Sequence, residues 1–251
     1  MDEEKLQRSR FRELAQTAYQ QNRYTFSRFL TPAELSVLFE MKQELQYIDF
    51  DTCGGSEFCE RQIARFGSEH LFGYEEPFPI RVLSVEPVSC KFAEVLGHRD
   101  YLGALMNLGM TRDVIGDILI RNQNAYIFCM DSIADYILAN LDKIKHTNVR
   151  VKPEESKVEA LMPRLRAMEV LVQTPRFDAV VAALCKLSRS GAQHLFLEKK
   201  VLLQGRICEN NSLMLKENTV FSVRGFGKFL YEGCGNQTRK GKYYVHIKQY
   251  E

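Results

Sequence analysis

The sequence predicts an α+β protein built from three successive units, and three observations predict it. Helix-period and strand-period segments alternate through the first three fifths of the chain, the formal charge changes sign near residue 150, and glycine-punctuated, aromatic-rich strand segments close it. The expected units are a small N-terminal α/β unit over 1–75, a second unit over 76–152, and a linker with a basic unit over 153–251.

Residues 3–21 read as a helix. "TPAELSVLFEMKQEL" begins a second, with Thr31 as N-cap, Pro32 at the first helical position, and Leu35, Leu38, Phe39 and Leu45 near one face. "YIDFDTCGG" reads as a short strand into a glycine turn, followed by a helix through "EFCERQIARF".

The second unit has a clearer order. "FPIRVLSVEP" is a strand, and "HRDYLGALMNLG" a helix with Leu102, Leu105 and Met106 on one face. "GDILIRNQNAYIFCM" is two strands joined at "RNQN". "DSIADYILANLDKI" is a helix capped by Ser132, with Ile133, Ile137, Leu141 and Ile144 along one stripe, and "TNVRVKP" is the last strand. Strand, helix, strand, strand, helix, strand is the split βαβ pattern of ferredoxin-like folds, which RNA-recognition motifs share. Their aromatic strand signature is absent from 76–151, so Tyr126 and Phe128 are expected in the core rather than as a stacking pair.

"VKPEESKVEALMPRLRAMEVLVQT" reads as the linker. Beyond it the first helix of the basic unit is expected to bury Val180, Leu184 and Leu187, and a second, capped by Ser188, to bury Ala192, Leu195 and Phe196. Arg189, Ser190, Gln193, Lys199 and Lys200 are left at the ends and outer side of that second helix, whose free amide hydrogens beside Arg189 suit a phosphate.

At 251 residues, with 45% apolar and 26% charged side chains, the chain suits two or three modest domains. No run approaches the roughly 18 apolar residues of a membrane span, and "MDEEKLQRSR" is neither a signal nor a transit peptide, so a cytoplasmic protein is expected; separately, a monomer is expected. Cys53, Cys59, Cys90, Cys129, Cys185, Cys208 and Cys234 are scattered, with no C-x-x-C and no His at ligand spacing. Reduced, mostly buried thiols are expected, with no metal or other cofactor. The net charge of +2 conceals −6 over 1–149 and +8 over 150–251. Charge polarised in this way fits either an end presented to a polyanion or a solvated basic surface with no partner, and charge alone does not choose between them.

The helix pair followed by "KVLLQGRI" and "TVFSVRGFGK" resembles the S-four domain, an RNA-binding module named for a small-subunit ribosomal protein. Arg176 and Asp178 meet its R-x-D at the first helix; Ser188, Arg189, Ala192 and Leu195 meet the second helix; Arg224, Gly225 and Gly227 meet V-R-G-x-G. Lys199 stands where the pattern has glycine, and Gln204 where it has Asn. Together with "GGSEFCERQIARF" and "HRDYLGALMNLGMTRDVIGDIL", these segments are similar to the YlmH family of bacterial RNA-binding proteins over nearly the whole length. The resemblance implies binding to ribosomal RNA and transfer RNA on the large ribosomal subunit, a role in ribosome-associated quality control of stalled nascent chains, and a link to cell division. The expected RNA-binding residues are Arg176, Arg189, Ser190, Gln193, Lys199, Lys200, Arg224, Lys228, Arg239, Lys240 and Lys242, with Phe221, Val223, Phe229 and Tyr231 as core.

S-four domains also occur fused to RNA-modifying enzymes, so a catalytic site is the rival expectation, and a protein adaptor the third. "HRD" at 98–100 lacks the Asn of a kinase loop, since Leu105 stands there. Asp49 with Asp51 and Asp113 with Asp117 lack a His partner or a metal set, and no phosphate loop or nucleophile elbow is present. A non-catalytic binder is expected.

Overall fold

The computed structural model describes residues 3–56, 59–89, 91, 93–154 and 165–250. Two compact units divide the chain, 1–162 and 163–251. The expected boundary near residue 153 precedes this division, and Cys90 and residues 155–164 of the expected linker lie outside the described residues. The architecture is α+β, and every strand pairing among the described residues is antiparallel.

The chain opens with α1 (Glu3–Gln21), β1 (Thr25–Leu30) and α2 (Pro32–Glu40), followed by a 3₁₀ turn (Met41–Gln43), β2 (Phe50–Cys53), β3 (Gln62–Phe66) and the short α3 (Glu69–Phe72). Thr31 caps α2 as expected: its hydroxyl accepts from the Glu34 amide, and the Glu34 carboxylate accepts from the Thr31 amide at 2.7 Å. Phe39, expected on the packed face, is 53% exposed, whereas Leu45 reaches the core from beyond the helix.

Where a helix is expected through "EFCERQIARF", Gln62–Phe66 form β3 instead, and residues 57–58 lie outside the described residues. Strand β3 is the middle strand of the order β1-β3-β2, pairing Thr25 with Phe66 on one side and Phe50 with Phe66 on the other. Ile63, Ala64 and Phe66 are all buried, so both faces of the strand are covered and the two-residue alternation that marks a half-exposed strand is missing. The edge strand "TFSRFL" adds to the elements expected from the sequence.

Next come β4 (Ile80–Pro87), α4 (His98–Asn107), a 3₁₀ turn (Arg112–Val114), β5 (Ile115–Arg121), β6 (Asn124–Met130), α5 (Asp131–Asn140), β7 (Lys143–Ile144) and β8 (Thr147–Pro153). Their order β5-β6-β4-β8-β7 is the ferredoxin-like arrangement with a small hairpin on one edge. Asn122 and Gln123 both take positive φ, 47° and 70°, as a two-residue hairpin turn requires. Ser132 does not cap α5; Met130 holds the N-cap position and Ser132 lies inside the helix, because β6 passes straight into it. The helix also stops at Asn140, so Ile144 joins the core from β7 rather than from a helical stripe.

Helices α4 and α5 cover the sheet face carrying Leu83, Val85, Ala125 and Ile127. On the other face Phe128 is fully buried, with Gly55 and Gly116 closely packed around it. A Cβ on Gly116 would stand 2.7 Å from the Phe29 ring and 3.0 Å from Phe128, and one on Gly55 would stand 2.7 Å from Phe128. That half of the sheet is closed by the preceding segment.

The second unit consists of β9 (Leu165–Val172), α6 (Phe177–Cys185), α7 (Arg189–Leu197), β10 (Val201–Leu203), β11 (Arg206–Ile207), β12 (Thr219–Val223), β13 (Gly227–Gln237) and β14 (Tyr243–Tyr250). The strands order as β11-β10-β12-β13-β14-β9. Helices α6 and α7 lie on one face, where Phe177 meets Phe196 and Phe221 edge-on with centroids 5.1 and 5.2 Å apart, and Phe221 stacks on Phe229 at 5.3 Å. Phe221, Val223, Phe229 and Tyr231 are core, as expected. Lys186 at φ 52° ends α6, so Leu187 falls outside it and is 37% exposed, while Leu184 is half-buried.

Candidate nucleic-acid interface

The cationic residues expected to hold RNA fall into three groups and one outlier. The first surrounds Asp178, whose side chain is fully buried at the start of α6. Its carboxylate accepts from Arg176 Nε and Nη2, Arg189 Nε and Gln193 Nε2, all at 3.2 Å, and from the Ala179 amide at 2.9 Å. Burial alone would raise this carboxyl, but the bonds from Gln193, Arg176 and Arg189 outweigh it and hold it below the usual aspartate range. Arg176 also donates to the Ser212 hydroxyl at 2.7 Å. Ser188 caps α7 by accepting from the Gly191 amide, and its hydroxyl lies 3.0 Å from that of Ser190. Gln193 is therefore an inward-facing brace rather than an outward contact, while Arg189 keeps a side chain 55% exposed.

The second group forms where α7 gives way to β10. Lys199 takes φ 56° and Gln204 φ 48°, so both residues standing in for Gly and Asn adopt the left-handed backbone those types favour. The Arg224 amide donates to the Lys200 carbonyl at 2.9 Å, bringing the exposed Arg224 beside the two lysines. Lys199 pairs with Glu209 at 3.4 Å and Lys200 with Glu198 at 2.8 Å, so carboxylates offset two of the three cations.

The third group is the hairpin between β13 and β14. Thr238 and Lys242 close it, amide to carbonyl at 2.7 Å, with Gly241 at φ 74° making the turn. Arg239, Lys240 and Lys242 are exposed and make no ion pair with a described residue. This hairpin and Arg224 lie at opposite ends of β13, an 11-residue strand, on the order of 35 Å long. The two groups cannot grip one phosphate.

Lys228 is the outlier. It lies half-buried on the sheet face away from the helices, its ammonium 4.3 Å from the centre of the Tyr250 ring, and burial lowers its pKa to about 8. The expectation of a solvent-facing phosphate contact does not match that placement.

The carboxylate pairs noted in the sequence are bound up in local structure. Asp49 accepts from the Ser68 hydroxyl at 2.7 Å, Asp51 from the Thr52 amide at 2.7 Å, and Asp113 pairs with Arg28 at 2.8 Å. Asp117 accepts from the Glu60 amide; burial raises its pKa to about 6 although Arg112 and Arg61 act against the rise. Among the described residues no group of His, Cys, Asp and Glu is arranged to hold a metal ion, and no helix is long and apolar enough to cross a membrane. The residues that sequence reasoning missed are partners: Ser212 for Arg176, Glu209 for Lys199, and Tyr250 for Lys228. The adjacent Glu198 and Lys200 could have been read as a local pair; the others carry no sequence signal.

Comparisons with known proteins bear on the whole chain. Residues 74–158 match the family model described as "Putative RNA-binding domain in YlmH". The chain is 26% identical over 235 residues to "Ribosome-associated protein quality control protein P2" of Bacillus subtilis (strain 168), covering 92% of this chain and 89% of that protein. Its fold is similar to the solved structure of "Cell division protein ylmH from Streptococcus pneumoniae", with a TM-score of 0.51 and 17% identity over 64% of this chain and 94% of that one. The domain match falls on the ferredoxin-like strands and helices, and the alignment with the Bacillus subtilis protein extends well beyond that domain. Residues 74–158 thus carry the domain described for YlmH, and the chain is similar over nearly its whole length to a ribosome-associated quality control protein.

Proposed function

We propose that the protein is a non-catalytic RNA-binding protein of the ribosome, contacting large-subunit ribosomal RNA and transfer RNA in the quality control of stalled nascent chains. The observation that carries this reading is the β13–β14 hairpin, where Arg239, Lys240 and Lys242 are exposed with no ion pair to a described residue. Uncompensated cations on a narrow protruding turn suit a phosphate backbone, since each neutralised phosphate releases counterions. The nearly full-length similarity to a ribosome-associated quality control protein supports the ribosome as the place of action. We further propose the three-domain division 1–75, 76–152 and 153–251, with the third as the S-four module.

Co-sedimentation of the purified chain with large ribosomal subunits across a salt series tests this reading. Binding that weakens steeply with salt and is impaired by changing Arg239, Lys240 and Lys242 to Ala supports it. Failure of the unmodified chain to bind large subunits at low salt would overturn it.

A further inference from the structure

A cleft of about 520 Å³ opens in the ferredoxin-like domain between α4 and the corner where α5 passes into β7. Its size is in the range that holds a small organic ligand. Arg99, Lys143 and Lys145 line it with Asp100 and Asp142, so cations outnumber carboxylates in a half of the chain that is acidic as a whole. Lys145 is occupied, pairing with Asp100 at 2.7 Å, and Asp100 also closes the start of α4 by accepting from the Gly97 amide at 2.8 Å. Arg99 and Lys143 make no ion pair with a described residue. Asn107 and Asn140 add amide groups at the rim; Asn140 donates to the Tyr136 carbonyl at 2.7 Å, leaving its own side-chain oxygen to accept.

Gly103 gives the cleft its meaning. It sits inside α4, where glycine is a poorer helix former than alanine. Its φ is not positive, and a Cβ built on it would meet nothing within 4 Å. Neither backbone geometry nor a close neighbour requires a glycine there. With Ala104 it leaves a stretch of wall beside the cations that carries no large side chain. The sheet face on which an RNA-recognition fold would stack bases is closed around Phe128, so a base could not stack there.

We infer that this cleft seats one nucleotide of an unpaired RNA segment, with its phosphate on Arg99 and Lys143 and its base against the Gly103–Ala104 wall. The amides of Asn107 and Asn140 face the base edge. The inference does not rest on the hairpin reading, because none of its residues belongs to the second unit.

The test uses the full chain and fluorescently labelled RNA hexanucleotides at low salt, followed by anisotropy. Gly103→Phe fills the cleft from a position with open space and is expected to weaken hexamer binding about tenfold or more; Arg99→Ala with Lys143→Ala is expected to do the same. Gly103→Ala is expected to raise the melting temperature while weakening binding much less. The hairpin change of Arg239, Lys240 and Lys242 to Ala leaves hexamer binding in place, so failure of the two readings can be told apart. Equal hexamer affinity in the unmodified chain, the Gly103→Phe variant and the Arg99, Lys143 double variant overturns the inference. A free nucleoside monophosphate that competes as well as the hexamer overturns the RNA assignment and makes the cleft a site for a free nucleotide.

Discussion

Arg189 Nε donates to Asp178 Oδ2 at 3.2 Å, joining the exposed start of α7 to a carboxylate with no solvent exposure. The residue best placed at a helix start for phosphate is thus also part of the scaffold. Its side chain is 55% exposed, and only Nε is committed to Asp178, which leaves the terminal guanidinium nitrogens for a ligand. Arg189→Ala should therefore lower stability slightly, by under about 1 kcal/mol, because the pair is half solvated, and should weaken RNA binding by about 1.5 to 3 kcal/mol. Asp178→Asn should invert that balance, destabilising by about 1 to 3 kcal/mol since the buried acceptor of four side-chain donor bonds loses its charge. Thermal denaturation and RNA titration of both variants check this; an Arg189→Ala variant that melts as low as Asp178→Asn would make Arg189 purely structural. The depressed Asp178 carboxyl adds a pH signature. Its contribution is present above the ordinary aspartate value of about 3.9 and is lost as pH falls through the lower folded value.

The ferredoxin-like order was legible because its elements carry their own signals. An Asn-Gln turn between two apolar runs gives a hairpin, and a strand, helix, strand, strand, helix, strand series has few alternative packings. The segment 62–66 was misread because a strand buried on both faces loses its alternation, and Ile63 and Phe66 also fit a helical spacing. The cations of the basic unit were legible in the sequence, but their charge balance was not. Glu209 reaches Lys199 and Tyr250 underlies Lys228 only through tertiary folding. The cleft at Gly103 carries no sequence signal for the same reason: its other wall comes from residues 140–145, far along the chain.

Asp117 gives a prediction of opposite sign to Asp178. Burial raises its pKa to about 6, so the folded protein holds this proton more tightly than the unfolded chain, whose aspartates titrate near 3.8. Stability from this group falls as pH rises from about 4 to about 6 and is level beyond. Asp117→Asn keeps an acceptor for the Glu60 amide and should gain stability relative to the unmodified protein across that window, by about 3 kcal/mol or less at neutral pH. Denaturant midpoints of both proteins at closely spaced pH values check it. A difference that does not change with pH would mean that the Asp117 charge is well accommodated by Arg61 and Arg112.

Lys228 should titrate near pH 8, the value to which burial lowers it. Folding disfavours its charged form, so its effect is a rise in stability from about pH 8 up to the ordinary lysine value of about 10.4, and none above it. Isotope-labelled lysine NMR across that range should show an early-titrating resonance that vanishes in Lys228→Met. If RNA binding leaves that resonance unmoved, Lys228 serves the Tyr250 face and not the ligand.

The separation of the two outward cation groups along β13 yields the sharpest measurement. Changing Arg239, Lys240 and Lys242 to Ala should lower the slope of log affinity against log salt by about two to three units, because each bare cation that meets a phosphate contributes somewhat less than one. Changing Lys199, Lys200 and Arg224 to Ala should lower it by about one, since Glu209 and Glu198 already hold the two lysines. Both changes should weaken unrelated structured RNAs alike, as phosphate contacts carry no sequence information. The measurement is a salt series on large ribosomal subunits with each triple variant. Equal slopes for the hairpin variant and the unmodified protein would show those three cations to be merely solvated, and would move the contact to the α7 end of the domain, where Arg224 and Arg189 retain exposed guanidinium groups.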